Sequence, residues 1–201
     1  MNKIGILGGT FNPIHNAHIK LAKKAIKDFG LSCVVFIPTG TPPHKSTNDL
    51  ASRNDRLNMV RLAIKGEKKL KVSKIEINKK GYSYAVDTFG KLKKRFGSKS
   101  KLFYIMGLDS INTILSWKRP IELFKLCQFI VATRPGSKIK TFKRIMKFPP
   151  ISINRNKIFL TELKVNLSSS EIRRALLKGK MPKNVMPENV EKYIAKNELY
   201  R

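Results

Sequence analysis

Acidic residues are scarce in this chain. Its 201 residues hold 13 Asp and Glu against 42 Lys and Arg, a formal net charge of +29. So large an excess draws in anionic partners through long-range steering, and nucleic acid is the first class to weigh. The excess is mostly lysine, though, and it is spread over the whole length. No run joins basic residues to stacking aromatics in the manner of RNA-binding modules. Lysine, isoleucine and asparagine are abundant together, which biased base composition alone would produce. A small phosphate-rich substrate is therefore favoured, and nucleic acid is disfavoured as a partner.

Cysteine is nearly absent, with two residues, Cys33 and Cys127. That excludes a disulfide scaffold and argues against a thiolate metal site. Both lie in apolar runs that read as buried strands, so both are expected as reduced core residues of a cytoplasmic protein. No apolar run approaches the ~18 residues that suggest a bilayer span, so no membrane role is expected. Met1-Asn2-Lys3-Ile4 reads as the start of a strand, without a signal-peptide layout. Internal repeats and low-complexity linkers are also missing, and nothing marks a domain boundary. What remains is a globular composition, 41% hydrophobic, long enough for one α/β core.

Strand-like and helix-like runs alternate. Strands are expected at Lys3–Leu7, Cys33–Pro38, Leu70–Ile77, Lys101–Met106, Cys127–Thr133 and Lys157–Leu160. Helices are expected at Ala17–Phe29, Arg53–Lys65, Tyr84–Phe96, Asp109–Ser116, Ser170–Lys178 and Pro187–Lys196, the last with proline at its first position. Gly40–Ser52 and Pro135–Ile139 read as loops, and Met146–Asn156 as irregular connection. Alternation of this kind implies βαβ units and a parallel sheet, with ligands at the carboxyl ends of the strands.

Histidine is rare too, and two of the three histidines fall in one segment, Gly8-Gly9-Thr10-Phe11-Asn12-Pro13-Ile14-His15-Asn16-Ala17-His18. The segment joins the first strand to the first helix. Glycines there let backbone N–H groups approach a phosphate, and a helix N-terminus favours anions. Other chemistry-bearing segments also follow strands. Pro42-Pro43-His44-Lys45 restrains a loop that can hold Lys45 toward an anion. Gly107-Leu108-Asp109-Ser110, with the single tryptophan Trp117 beyond it, offers either a helix cap or contacts to a ribose or base. Arg134-Pro135-Gly136 follows the fifth strand. Leu167-Ser168-Ser169-Ser170-Glu171-Ile172-Arg173 opens a helix with hydroxyls and an arginine in its first turn, in physical terms an anion site. In Gly81-Tyr82-Ser83-Tyr84-Ala85-Val86-Asp87-Thr88, Ser83 reads as an N-cap, and Tyr84 faces either core or substrate.

Taken in order, these segments resemble the bacterial nicotinate-nucleotide adenylyltransferases of the HxGH nucleotidyltransferase superfamily. The resemblance spans nearly the whole chain, from Ile4 to Leu199-Tyr200. It implies a Rossmann-like, doubly wound parallel sheet with helices on both faces, and one nucleotidyltransferase domain over residues 1–201. The implied reaction is attack of the 5′-phosphate of nicotinate mononucleotide on the α-phosphorus of ATP, with Mg²⁺ on the phosphates. It further implies catalytic roles for His15, His18, Lys45 and Arg173, and an ATP site of Gly8, Gly9, Thr10, Phe11, Asp109, Arg134, Ser169 and Ser170. Lys45, Tyr84 and Trp117 are implied for the mononucleotide. The chain departs from the family pattern at Asn12, Ala17, Ala85, Leu108, Lys118 and Ser170. Positions 85, 108 and 118 are expected to bear on nicotinate against nicotinamide. Two alternatives stay open: a nicotinamide mononucleotide acceptor, and a basic nucleic-acid-binding protein on the same fold. A homo-oligomer is equally open.

Overall fold

Among the described residues six parallel strands form one sheet, and their order sets where a cleft opens. The computed structural model describes residues 2–43, 50–133, 142–144, 146–149, 151–165 and 167–200. The strands are β1 (Lys3–Gly9), β2 (Cys33–Pro38), β3 (Leu70–Val72), β4 (Lys101–Gly107), β5 (Gln128–Thr133) and β6 (Ile158–Glu162). They lie side by side as β3-β2-β1-β4-β5-β6, and every neighbouring pair is parallel. This is the doubly wound order, whose direction reverses between β1 and β4. The crevice beyond the carboxyl ends of those two strands is the place such sheets offer a ligand.

Side-chain alternation puts a core on each face of the sheet. On β2, Val34 and Phe36 join one core while Val35 and Ile37 join the other. The first core is closed by α1 (Asn16–Phe29), α2 (Arg53–Ala63), α6 (Ser169–Leu177) and α7 (Glu188–Lys196). The second is closed by α3 (Ala85–Phe96), α4 (Leu108–Asn112) and α5 (Pro120–Leu126). Phe36, Phe89, Phe124 and Phe129 are each at most 1% exposed. Burial of a side chain of that size is worth roughly 1.5–3 kcal/mol. The helix α1 shows why the chain turns where it does. Leu21, Ala22 and Ala25 make its buried stripe, and Gly30, with φ 61°, ends it by returning its N–H to the Ile26 carbonyl.

Several elements differ from the sequence reading. The strand expected over 70–77 stops at Val72, because the apolar phase slips there: Leu70 and Val72 share one parity, Ile75 and Ile77 the other. Residues 75–78 instead form a turn that buries Glu76 and Ile77. The helix expected over 109–116 divides into α4 and a 3-10 turn, Ile114–Ser116. Ser83 does not cap α3, whose cap position is Tyr84, and Pro187 sits at the cap of α7 rather than inside it. The short α5 was not expected, although Pro120 at its first position and Glu122 in its first turn are readable signals. A 3-10 helix, Ser152–Lys157, occupies the connection read as irregular. Cys127 is buried but Cys33 is only half-buried, and both are free thiols. Among the described residues, no helix is long and apolar enough to cross a membrane.

Candidate active site

At the carboxyl ends of β1 and β4 the chain leaves a cleft of two lobes. One, about 450 Å³, runs past Tyr84, Ala85 and Trp117; the other, about 560 Å³, runs past His18, Ser169, Ser170 and Arg173. Gly8, Gly9, Thr10, Tyr104, Asp109 and Ser110 line both, so they form the shared wall. Gly8 and Gly9 belong there for a physical reason. A Cβ at Gly8 would come 3.2 Å from the Tyr104 hydroxyl, and one at Gly9 would come 3.1 Å from the Phe11 ring. Phe11 itself is buried with φ 50°, a left-handed backbone that costs a side-chain-bearing residue about 1–2 kcal/mol.

The histidine pair forms a reciprocal turn at the start of α1. The His18 N–H donates to the His15 carbonyl at 2.9 Å, and the His15 N–H donates to His18 Nδ1 at 3.2 Å. With Nδ1 accepting, the neutral His18 imidazole carries its proton on Nε2 and is a donor on that side. The two rings stack at 3.8 Å, and the Phe11 ring meets His18 edge-on at 5.1 Å. His18 lines the cleft; His15 is 2% exposed and lines neither lobe. The structure therefore separates two residues that the sequence reading grouped.

From across the cleft, α6 is stitched to the same turn. The Ser169 hydroxyl donates to the Pro13 carbonyl and Arg173 Nη1 donates to the Asn12 carbonyl, each at 2.9 Å. Arg173 lies one turn into α6, not in its first turn. Asn12 is 3% exposed, and its Oδ1 accepts from the Ala51 N–H at 3.0 Å and from the Tyr200 hydroxyl at 2.8 Å. The lobe that His18 lines is thus shaped by contacts that reach from residue 12 to residue 200.

In the other lobe, Trp117 is half-buried against Tyr104, with ring centroids 6.1 Å apart. Lys118 Nζ stands 4.3 Å from the centre of the Tyr84 ring. Asp87 accepts from Lys79 at 3.2 Å and from Arg119. Despite partial burial, these cations hold its carboxyl below the usual range. Leu108, expected to bear on the acceptor, is 4% exposed in the second core and lines neither lobe, whereas Ala85 and Lys118 do line the aromatic one. Ala17 also packs into the core, so its Cβ has a place. Lys45 and Arg134 lie outside the described residues.

Sequence reading missed two charged residues. Arg56 is 1% exposed and bonds only to backbone carbonyls in the described contacts. Its Nε donates to Ala51 at 3.1 Å, Nη1 to Thr10 at 2.9 Å and Thr39 at 2.6 Å, and Nη2 to Gly40 at 3.0 Å. It ties the loops after β1 and β2 together. Glu76 is 8% exposed and lines the aromatic lobe. Burial raises its pKa, although the Thr88 hydroxyl donates to it at 2.7 Å. A lone arginine inside an amphipathic helix carries no local signal of burial, so no pattern in the sequence marks Arg56.

A family model described as cytidylyltransferase-like matches residues 6–175. The probable nicotinate-nucleotide adenylyltransferase of Thermoanaerobacter sp. (strain X514) is 38% identical over 204 residues, covering 99% of this chain and 94% of the relative. The probable enzyme of the same name from Clostridium tetani is 36% identical over 201 residues and covers both chains fully. The chain belongs to this family of adenylyltransferases. A solved structure of the nicotinic acid mononucleotide adenylyltransferase of Plasmodium falciparum, complexed with NaAD, shares the fold. Its TM-score is 0.80 at 24% identity, covering 100% of this chain and 98% of that one.

Proposed function

We infer that this family member transfers the adenylyl group of ATP to nicotinate mononucleotide. A 5′-phosphate oxygen of the mononucleotide bonds to the α-phosphorus, and the bond from that phosphorus to the bridging oxygen breaks. Pyrophosphate leaves and nicotinate adenine dinucleotide forms. The nucleophile is already an anion, so the protein needs no strong base. It needs to align two polyanions and to stabilise charge that grows in the transition state.

The observation that carries this reading is the division of the cleft. One lobe presents the His18 imidazole, the N-terminus of α6 and Arg173, which suit a triphosphate. The other presents Tyr84 and Trp117, which suit an aromatic ring. The glycine wall between them lets the two substrates meet. In this assignment His18 Nε2 donates to the phosphate at the reacting centre, and His15 positions His18 from beneath. Gly8, Gly9, Thr10 and Phe11 shape the backbone around ATP. Asp109 and Arg134 serve the adenosine end, and Ser169 and Ser170 the triphosphate. Lys45 serves the phosphate of the mononucleotide.

In this reading a divalent ion travels with the nucleotide and not with the chain. Among the described residues, no three His, Cys, Asp or Glu side chains converge as a cage. Mg²⁺ would be held by the phosphate oxygens, whose charge it neutralises. The chain acts as one domain over 1–201 in this reading, since the cleft draws on residues from Gly8 to Arg173 and Tyr200 closes on Asn12. A cytoplasmic setting belongs to the same reading and agrees with two free thiols.

The test is pyrophosphate release from ATP and Mg²⁺ with nicotinate and nicotinamide mononucleotides in parallel. Faster release with the nicotinate form is expected. Faster release with the amide would keep the mechanism and change the acceptor. No release with either, from folded protein, would overturn the reading.

A further inference from the structure

The aromatic lobe carries a cation that the stacking walls do not need. Lys118 lines the lobe with its side chain 46% exposed, and its ammonium stands 4.3 Å from the Tyr84 ring centre. It lies 3.9 Å from Asp87, beyond hydrogen-bonding distance. Asp87 is already engaged by Lys79 at 3.2 Å and by Arg119. Arg119 has a second partner in Glu122 at 3.2 Å. Three cations therefore share two carboxylates at this edge, and Lys118 is the one held most loosely. Glu76 lies in the same lobe, but its raised pKa reflects burial that disfavours its charge there. Lys118 is thus a loosely held cation set directly against an aromatic surface.

Resting on the acceptor assignment above, we infer that Lys118 is the specificity-determining residue that reads the ring substituent of the pyridine. A ring lying along Tyr84 and Trp117 brings its substituent to the rim where the ammonium stands. A carboxylate there gains a charge-assisted contact, and a neutral amide does not. The bound ring displaces water from the Tyr84 face, which lowers local screening and strengthens the pair over an ordinary surface contact. Lys118 adds no bond to the reacting phosphates, so its effect falls on choice of acceptor and not on the chemical step.

The experiment compares wild type, Lys118→Met and Lys118→Arg, with kcat and KM measured for nicotinate and nicotinamide mononucleotides at saturating ATP and Mg²⁺. Methionine keeps the stem length and removes the charge. The acid-to-amide ratio of kcat/KM is expected to fall about tenfold in Lys118→Met, mostly through KM for the acid, and to recover in Lys118→Arg. An unchanged ratio, or equal losses on both acceptors, overturns the inference while wild-type turnover leaves the proposed function standing. Absence of turnover by wild type with either acceptor overturns both.

Discussion

His18, Arg56 and Glu76 show three different relations between a residue and its role. His18 was legible because histidine is rare and the segment around it is dense in turn and phosphate-binding features. The residue pattern alone treats His15 and His18 alike, and the resemblance gives the phosphate contact to His18; the geometry agrees in placing the His18 ring on the cleft and the His15 ring in the interior. His18→Ala is expected to lower kcat by roughly 10²-fold, the scale of losing an oxyanion-type donor. A folded variant with near-normal turnover would refute the assignment. Arg56 was not legible, because its partners are carbonyls from two loops that meet only in the folded chain. Arg56→Met leaves those acceptors buried without their donor and is expected to cost about 3–5 kcal/mol. At ~2–4 °C per kcal/mol for a chain of this size, its thermal midpoint should drop by roughly 6–20 °C; a drop of a degree or two would contradict the arrangement. Glu76 makes a pH prediction. Its folded pKa is raised, so the native state keeps that proton at a pH where the unfolded state, near ~4.3, has lost it. Stability from this group therefore falls as pH rises from the unfolded toward the folded pKa. Glu76→Gln should gain on wild type in thermal midpoint over that rise, and parallel curves from pH 4 to 8 would exclude the effect.

Among the elements, α6 and the segment after α7 show how pieces distant in sequence build one turn. The anion-binding look of Ser168 to Arg173 comes from local residue types, so the sequence carried it. Its attachment to Asn12 and Pro13 by Arg173 and Ser169 is tertiary. Tyr200 completes that attachment, with its hydroxyl on Asn12 Oδ1 and its ionisation pushed upward by burial. Tyr200→Phe keeps the ring and removes one hydrogen bond. It is expected to cost about 1 kcal/mol in stability and to reduce kcat severalfold, as Asn12 and the turn behind His18 loosen. Unfolding curves and kcat measured together check this, and full activity with full stability would show that the tail is a bystander. The failure at residues 70–77 has the opposite cause. The apolar phase slip is visible in the sequence, but the β-rich composition of the run masks it. The payoff of turning there is a buried carboxyl and a loop that meets Thr41 through the neighbouring Tyr82.

For the whole molecule, the charge of +29 acts as a field. Self-repulsion destabilises a compact chain so charged, and salt screens it: the Debye length shrinks from ~30 Å at 0.01 M to ~10 Å at 0.1 M. The thermal midpoint is therefore expected to rise over that range. A flat response would mean that local ion pairs already compensate the field. Strand–helix alternation by itself determined a parallel sheet, because that signal is periodic; the doubly wound order and the class of chemistry were implied by the family resemblance that the ordered local motifs carry. Only the tertiary structure decided that the cleft divides into two lobes, that His18 and not His15 lines it, and that Leu108 is core. It alone brought Glu76 into the cleft and set Arg56 and Tyr200 against the loops that line it. Each of those outcomes depends on side chains from distant segments sharing one buried space, and a linear pattern does not encode that proximity.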